Sequence, residues 1–220
     1  MQYWKKLTPQ QRQERIDEAL VQNVNFATDT SLGFPASRLD SKVFYEEAPF
    51  LRDAPTIRAY VANPNNIGCH TFGTSENAFY GTQEIEREVL NVLAVDVFKC
   101  EPNEYDGYIS PGGTEANIQA IWVFRNYFFH KFEAKLHEIA ILASEDTHYS
   151  IPKASNLLQI DWISIPVDFN SRAIQKEKLE ALILDAKSKG VKYFIAVSNM
   201  GTTMFGSVDN PTDYIEVLEK

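Results

Sequence analysis

The sequence has little cysteine and no long apolar run. It contains 2 cysteines in 220 residues, with no Cys-x-x-Cys pair and no cysteine–histidine cluster at metal-ligand spacing. These absences argue against a disulfide framework and against a bound metal. No stretch approaches the roughly 20 apolar residues of a membrane-spanning helix, and the first residues lack the apolar core of a signal peptide. We therefore expect a cytoplasmic protein with no membrane partner.

Basic residues are outnumbered. There are 21 lysines and arginines against 30 aspartates and glutamates, which gives a net charge of −9, and no run of basic residues occurs. Such a surface is poorly suited to nucleic acid. The hydrophobic fraction of 44% and the charged fraction of 23% are typical of a globular chain, and 220 residues suffice to bury a core.

The first part of the chain, residues 1–81, is predicted to be helical and then irregular. Thr8 and Gln11 have the spacing of a capping box, with Pro9 in the first turn, so a helix is predicted to run to about Phe26. Residues 33–81 are rich in proline, asparagine and glycine. We expect mostly loop with short helical pieces there, kept for function or for contact with another subunit.

From residue 82 onward the pattern alternates between helices and strands. Thr82 is predicted to cap the first of these helices, and Asn210 with Pro211 the last. Strands are predicted at 107–110, 138–143, 162–167 and 192–197, and the intervening helices at 114–132, 152–158 and 175–189. The alternation predicts an α/β domain, residues 82–220, with a parallel sheet.

Three segments follow predicted strands, where ligands bind in such sheets. We name them loop 1 (residues 110–117), loop 2 (residues 144–150) and loop 3 (residues 199–210). In loop 1, Gly112 and Gly113 precede Thr114 at a helix start, which suits a phosphate. The alternative is a tight turn with Thr114 as an ordinary N-cap. The segment matches neither the Walker motif nor the dinucleotide fingerprint.

Loops 2 and 3 also carry candidate residues. His148 in loop 2 could stack on a flat ring or transfer a proton, or it could be a capping or surface histidine. Thr202 and Thr203 follow a glycine in loop 3, which could instead be a simple turn capped by Asp209 or Asn210.

Taken in order, the three loops resemble the group II decarboxylases that depend on pyridoxal 5′-phosphate, the family of glutamate, histidine and aromatic amino-acid decarboxylases. GGTEAN resembles their phosphate-binding turn, SEDTHYSIPKA their histidine segment and GTTMFGSVDN their loop before the cofactor aspartate. The resemblance runs from about Asn65 to Lys220 and is greatest to the short bacterial branch. It implies an incomplete large domain of the PLP-dependent transferase fold (aspartate aminotransferase-like, fold type I).

The resemblance also implies roles for individual residues. Gly113 and Thr114 would hold the cofactor phosphate. His148 would stack on the pyridine ring and handle a catalytic proton. Thr202 would lie near the cofactor 3-hydroxyl, with Thr203 as the alternative.

The segment around Asn65, Asn66 and His70 resembles a region that borders the substrate pocket or faces a second subunit. The resemblance thus implies a homodimer that acts on a small-molecule amino acid.

The implied activity is that of a carboxy-lyase, which removes the α-carboxylate via an external aldimine. It needs a Schiff-base lysine and a cofactor aspartate, and neither is identified in these residues. The His130-Lys131 pair stands at the end of a predicted helix and does not fit. Alternatives are another fold type I enzyme, similar to sphingosine-phosphate lyase or cysteine desulfurase, or a non-catalytic partner chain if the natural chain ends at Lys220.

Overall fold

The chain is divided into two compact units, Met1–Ile109 and Ser110–Lys220. The computed structural model describes residues 6–26, 28–30, 40, 42–45, 48–63, 73 and 77–219. The division between the units falls after Ile109. The start of a cofactor-binding domain at residue 82, expected from the sequence, remains a prediction.

The first unit is helical. Its helices are α1 (Pro9–Val21), α2 (Pro55–Ala62) and α3 (Tyr80–Asn91), with 3₁₀ turns at Pro49–Leu51 and Asn77–Phe79 and a π turn at Val92–Val97. The predicted capping box is confirmed, because Thr8 Oγ1 accepts from the Gln11 amide and Gln11 Oε1 accepts from the Thr8 amide. Helix α1 ends at Val21, before the predicted Phe26.

Asn23, just beyond α1, explains one departure from the sequence prediction. Its Oδ1 accepts from the amides of Gly81 at 3.1 Å and Thr82 at 3.3 Å, so it caps α3. The prediction of Thr82 as N-cap is therefore wrong, and Thr82 lies inside the first turn. A Cβ on Gly81 would stand 1.8 Å from the carbonyl oxygen of Ala19, so only glycine allows α1 and α3 this contact.

The second unit follows the predicted alternation. Its elements are α4 (Gly113–Phe132), β1 (Ile139–Ser144), α5 (Ser150–Leu158), β2 (Asp161–Ile165), α6 (Lys176–Ser188), β3 (Tyr193–Val197) and α7 (Pro211–Leu218), with a 3₁₀ turn at Leu136–Glu138. The strand predicted at 107–110 is wrong, since these residues are irregular and the Ile109 amide donates to the Glu86 carboxylate instead of to a strand.

The three strands form a parallel sheet in the order β2-β1-β3, which confirms the predicted architecture. Ser144 pairs with Ile165, and Ala143 pairs with Val197, so the carboxyl ends of all three strands reach one edge. Loops 1, 2 and 3 are positioned by this fold: loop 1 leads into α4, and loops 2 and 3 leave β1 and β3 at that edge.

Helices cover both faces of the sheet. On one face Ile141 and its strand neighbours pack with residues of α4 and α5. On the other face Leu142 packs with residues of α6 and α7. All six residues of β1 are buried, which explains its continuous apolar run. Among the described residues no helix has the length and apolar character of a membrane span, and no cluster of three or more acidic, histidine or cysteine side chains could hold a metal.

Candidate functional site

Loops 1 and 2 are joined by two side-chain contacts. Thr114 Oγ1 lies 3.3 Å from the hydroxyl of Tyr149, and Asn117 Nδ2 donates to Ser150 Oγ at 2.8 Å. The first turns of α4 and α5 therefore lie side by side at the edge where β1 ends. The phosphate-type turn and the histidine segment predicted from sequence are thus brought together.

The start of α4 is an open helix N-terminus. Gly112 is the N-cap and has no side chain to bond the free amides of the first turn. A Cβ added to Gly112 or Gly113 would meet no heavy atom within 4 Å. Thr114 lies within the helix, so the alternative that it is the N-cap is wrong. Unbonded amides, the positive end of the helix dipole and space above two glycines fit a phosphate.

A cavity of about 460 Å³ opens beside this turn. It is lined by Pro111, Gly112, Gly113, Thr114, Glu115, Ile118, Gln119 and Lys153. Lys153 Nζ also lies 5.1 Å from the centroid of the Tyr149 ring, a cation–π distance. Lys153 and the positive end of the α4 dipole favour an anionic ligand, while Glu115 adds one negative charge to the same lining.

His148 is held by a chain of hydrogen bonds. The Ser150 amide donates to His148 Nδ1 at 3.3 Å, and Ser150 Oγ lies 2.8 Å from the same nitrogen. A backbone N–H can only donate, so Nδ1 is an acceptor and carries no proton. Because the side-chain amide of Asn117 donates to Ser150 Oγ, the Ser150 hydroxyl proton is directed to Nδ1 of His148. The network thus favours the tautomer whose proton is on Nε2.

Loop 3 is tied to loop 2 through Asn199. Thr147 Oγ1 donates to Asn199 Oδ1 at 3.0 Å, and Asn199 Nδ2 donates to Ser144 Oγ at 3.0 Å and to Asp209 Oδ2 at 2.9 Å. One amide side chain therefore links the end of β1, the residue before His148 and the end of loop 3. This link places the third predicted segment at the same edge as the first two.

Buried polar groups fix the base of loop 3. Asp209 is 5% exposed, and its Oδ2 also accepts from the backbone amide of Asn199 at 2.9 Å. Tyr214 donates to the carbonyl of Val197 at 3.1 Å, and burial, helped by the charge of Asp209, raises the pKa of Tyr214. Asn210 accepts from the Thr212 amide and caps α7, as predicted. Asp209 has a structural role here.

The two threonines of loop 3 differ in their surroundings. Thr202 is 7% exposed, its Oγ1 lies 2.7 Å from Ser207 Oγ, and it accepts from the Ser207 amide at 3.2 Å. Its hydroxyl therefore closes the turn from Gly201 to Ser207. Thr203 is exposed, so its hydroxyl is the more accessible of the two.

Other candidates lie elsewhere. Asn65, Asn66 and His70 are outside the described residues. Lys131 is at the C-terminal end of α4, where its Nζ donates to the hydroxyl of Tyr127 at 2.7 Å. With a rise of about 1.5 Å per residue, it stands roughly 25–30 Å from the start of α4. The structure thus agrees with rejecting Lys131 as the Schiff-base lysine.

Three supporting residues were not predicted, namely Asn117, Ser150 and Asn199. Asn117 lies in loop 1 with Thr114, and Ser150 lies in loop 2 with His148. Asn199 is the first residue of loop 3. Their positions were therefore visible, but the Asn117–Ser150 and Asn199–Ser144 contacts join residues 33 and 55 positions apart, beyond any local pattern.

Several known proteins similar to this chain are decarboxylases. The conserved domain of the pyridoxal-dependent decarboxylases matches residues 40–220. A tryptophan decarboxylase of Clostridium sporogenes is 49% identical over 220 residues, which is 100% of this chain and 53% of that protein. A histidine decarboxylase of Solanum lycopersicum is 30% identical over 166 residues, 76% of this chain and 36% of that protein. The chain thus spans about half the length, or less, of these relatives.

Solved structures share the fold. L-methionine decarboxylase from Streptomyces sp.590 superposes with a TM-score of 0.60 at 20% identity, over 96% of this chain and 47% of that one. The glutamate decarboxylase domain of a Vibrio parahaemolyticus protein gives 0.57 at 19% identity, over 94% and 52%. The α/β unit is therefore an incomplete large domain of fold type I, as the resemblance implied. With its domain match over residues 40–220, the chain belongs to the pyridoxal-dependent decarboxylase family.

Proposed function

We propose that this protein is a pyridoxal-phosphate-dependent amino-acid decarboxylase whose cofactor lies at the edge where loops 1, 2 and 3 meet. The observation that carries the proposal is the open N-terminus of α4, flanked by the hydrogen-bonded His148. Bound pyridoxal phosphate would supply the electron sink for the electron pair left when the bond to the α-carboxylate breaks.

Loop 1 would bind the phosphate. The amides of Gly113 and Thr114 point out of the first turn of α4, and the Thr114 hydroxyl is held near that of Tyr149. Lys153, which lines the same cavity, adds positive charge. These groups would fix one end of the cofactor and leave the ring to be oriented by loops 2 and 3.

His148 would be the catalytic residue of this chain. Its Nδ1 is occupied by Ser150, so Nε2, with its proton, is the nitrogen left to face a ligand. An imidazole in this tautomer can stack on a flat ring and also donate a proton from Nε2. The Asn117–Ser150 pair would therefore orient the group that handles a proton.

In loop 3 we favour Thr203 as the residue near the cofactor 3-hydroxyl. The Thr202 hydroxyl is engaged inside its own turn, whereas Thr203 is exposed at the edge of the sheet. This choice reverses the order expected from the resemblance, in which Thr203 was the alternative.

The substrate would be an amino acid, and we favour one with an aromatic side chain. The support is the 49% identity to a tryptophan decarboxylase over all of this chain, against 32% for an aspartate 1-decarboxylase of Aliivibrio fischeri and 30% for a histidine decarboxylase of Klebsiella aerogenes over parts of it. We further propose a cytoplasmic homodimer, with Asn65, Asn66 and His70 bordering the substrate pocket.

The test is release of CO₂ by the protein expressed from its complete gene. The purified protein is loaded with pyridoxal phosphate and given tryptophan, tyrosine, phenylalanine, histidine, glutamate, aspartate and methionine in separate reactions. We expect CO₂ and the matching amine from an aromatic amino acid. CO₂ only from a non-aromatic one would contradict the substrate class. Cofactor binding without CO₂ from any amino acid would favour another fold type I activity.

A further inference from the structure

Arg172, between β2 and α6, forms a two-point ion pair with loop 2. Its Nε donates to Asp146 Oδ2 at 2.8 Å, and its Nη2 donates to Asp146 Oδ1. The two side chains are 17% and 7% exposed. A bidentate pair removed from water in this way fixes both distance and angle, unlike a single surface contact.

The same guanidinium also contacts loop 3. Its Cζ lies 4.2 Å from the centroid of the Phe205 ring, which is a cation–π stacking distance. Phe205 is two residues from Thr203, and Asp146 is two residues from His148. Arg172 thus stands between the loop that carries the histidine and the loop that carries the threonines.

The backbone at Arg172 forms a hydrogen-bonded turn. Arg172 has a φ of +58°, a left-handed conformation that is unusual for a residue other than glycine. Its amide donates to the carbonyl of Asp168 at 2.9 Å, and Asp168 Oδ1 accepts from the amides of Asn170 at 3.0 Å and Ser171 at 2.8 Å. A tight, hydrogen-bonded turn therefore holds a strained residue in place.

We propose that Arg172 is a positioning residue, and that the Asp146–Arg172–Phe205 clamp holds loops 2 and 3 at the separation at which His148 and Thr203 serve the same cofactor. The inference rests on the proposed function. Arg172 itself would touch neither cofactor nor substrate, because its guanidinium is engaged by Asp146 and Phe205. Its effect would pass through the geometry of the two loops.

The test compares cofactor binding by the clamp variants Arg172→Met, Asp146→Asn and the double variant with a control, all in the protein expressed from its complete gene. The control is Lys192→Met, which breaks the ion pair of Lys192 with Glu138. That pair precedes β3 and β1 and so lies at the opposite edge of the same sheet. Readouts are the dissociation constant of pyridoxal phosphate, the visible circular dichroism of the bound cofactor, and amide hydrogen exchange of loops 2 and 3 without cofactor.

We expect each single clamp variant to weaken cofactor binding by about tenfold, as loss of an outer-shell partner typically does. The double variant should lose no more than the worse single one, because both break the same pair. Exchange in loops 2 and 3 should accelerate, and the visible dichroism should fall. Lys192→Met should change none of these readouts.

Equal effects of Arg172→Met and Lys192→Met on cofactor affinity, or effects that multiply in the double variant, would overturn the clamp. Should Arg172→Met not fold, Arg172→Lys and Phe205→Leu decide, with weakened binding in both supporting the clamp and unchanged binding in both overturning it. A wild-type protein that takes up no cofactor would overturn the proposed function and the clamp together. Wild-type binding with indifferent variants would overturn the clamp alone.

Discussion

Ser150 directs His148 through two hydrogen bonds: its amide donates to Nδ1 at 3.3 Å, and its hydroxyl lies 2.8 Å from the same atom. Because Asn117 donates to that hydroxyl, the direction of the whole chain is set from α4. The imidazole is therefore oriented by residues of two helices whose first turns lie side by side. Its Nε2 is the nitrogen free to act on a ligand.

Asn117→Asp should reverse the direction of the hydrogen bonds from residue 117 through Ser150 to His148. A carboxylate only accepts, so it would draw the Ser150 hydroxyl proton and leave Ser150 Oγ to accept from a protonated Nδ1. Nitrogen NMR of the His148 ring should show the proton move from Nε2 to Nδ1 or a doubly protonated ring, with turnover reduced by roughly tenfold. Asn156→Asp, on the exposed side of α5, is the control. An unchanged His148 spectrum in Asn117→Asp would refute the tautomer assignment.

His148→Ala should affect turnover far more than stability. Loss of a general acid or base lowers rates by about a hundredfold to ten-thousandfold. The ring is only partly buried, so thermal unfolding should shift little. The control is His130→Ala, an exposed residue at the far end of α4, which should leave both quantities unchanged. Equal turnover in wild type and His148→Ala would mean that the histidine is structural.

Gly113→Ala should separate folding from cofactor binding. A Cβ there meets no protein atom, and alanine in the first turn of a helix is favourable by up to about 1 kcal/mol, so stability should hold or rise. The methyl group would occupy the space proposed for the phosphate. We expect cofactor affinity to fall by about tenfold or more, equivalent to losing one hydrogen bond to a charged group. Gly107→Ala is the matched control, and equal affinities would place the phosphate elsewhere.

Sequence patterns predicted those elements well whose information is local. Apolar runs specified β1 and β3, and the caps at Thr8 and Asn210 lie within three residues of the amides they bond. The prediction of the α3 cap failed because the capping side chain is that of Asn23, which lies 58 residues before the Gly81 amide that it bonds. The prediction of a strand at 107–110 failed because a strand needs a neighbouring strand to pair with. The Ile109 backbone amide bonds the side chain of Glu86 instead.

The candidate site was predicted in outline for the same reason. Glycines and hydroxyls at strand ends indicated loops 1, 2 and 3. The choice between Thr202 and Thr203 needed the contact with Ser207, which only the folded turn reveals. The Asp146–Arg172 pair joins residues 26 positions apart and had no sequence signal beyond opposite charge.

The turn that supports Arg172 should make stability depend on pH. Hydrogen bonds from the Ser171 amide and hydroxyl, and from the Asn170 amide, lower the pKa of Asp168. A carboxylate with a lowered pKa stabilises the fold above its ordinary pKa of about 4, and this contribution is lost as the pH falls through the folded-state pKa. Asp168→Asn should therefore be less stable than wild type at neutral pH.

The difference between the two proteins should narrow as the pH falls below about 4, since wild-type Asp168 then becomes protonated. Urea unfolding of both proteins, followed at a series of pH values, measures this difference. A gap that stays constant across the series would show that the charge of Asp168 does not stabilise the turn.

A crystal structure of the protein expressed from its complete gene, grown with pyridoxal phosphate, would show where the cofactor binds. We expect its phosphate within hydrogen-bonding distance of the Gly113 and Thr114 amides, with the His148 ring against the cofactor ring and the Thr203 hydroxyl near its 3-hydroxyl. A cofactor bound with its phosphate away from the start of α4, or with His148 out of contact, would contradict this expectation.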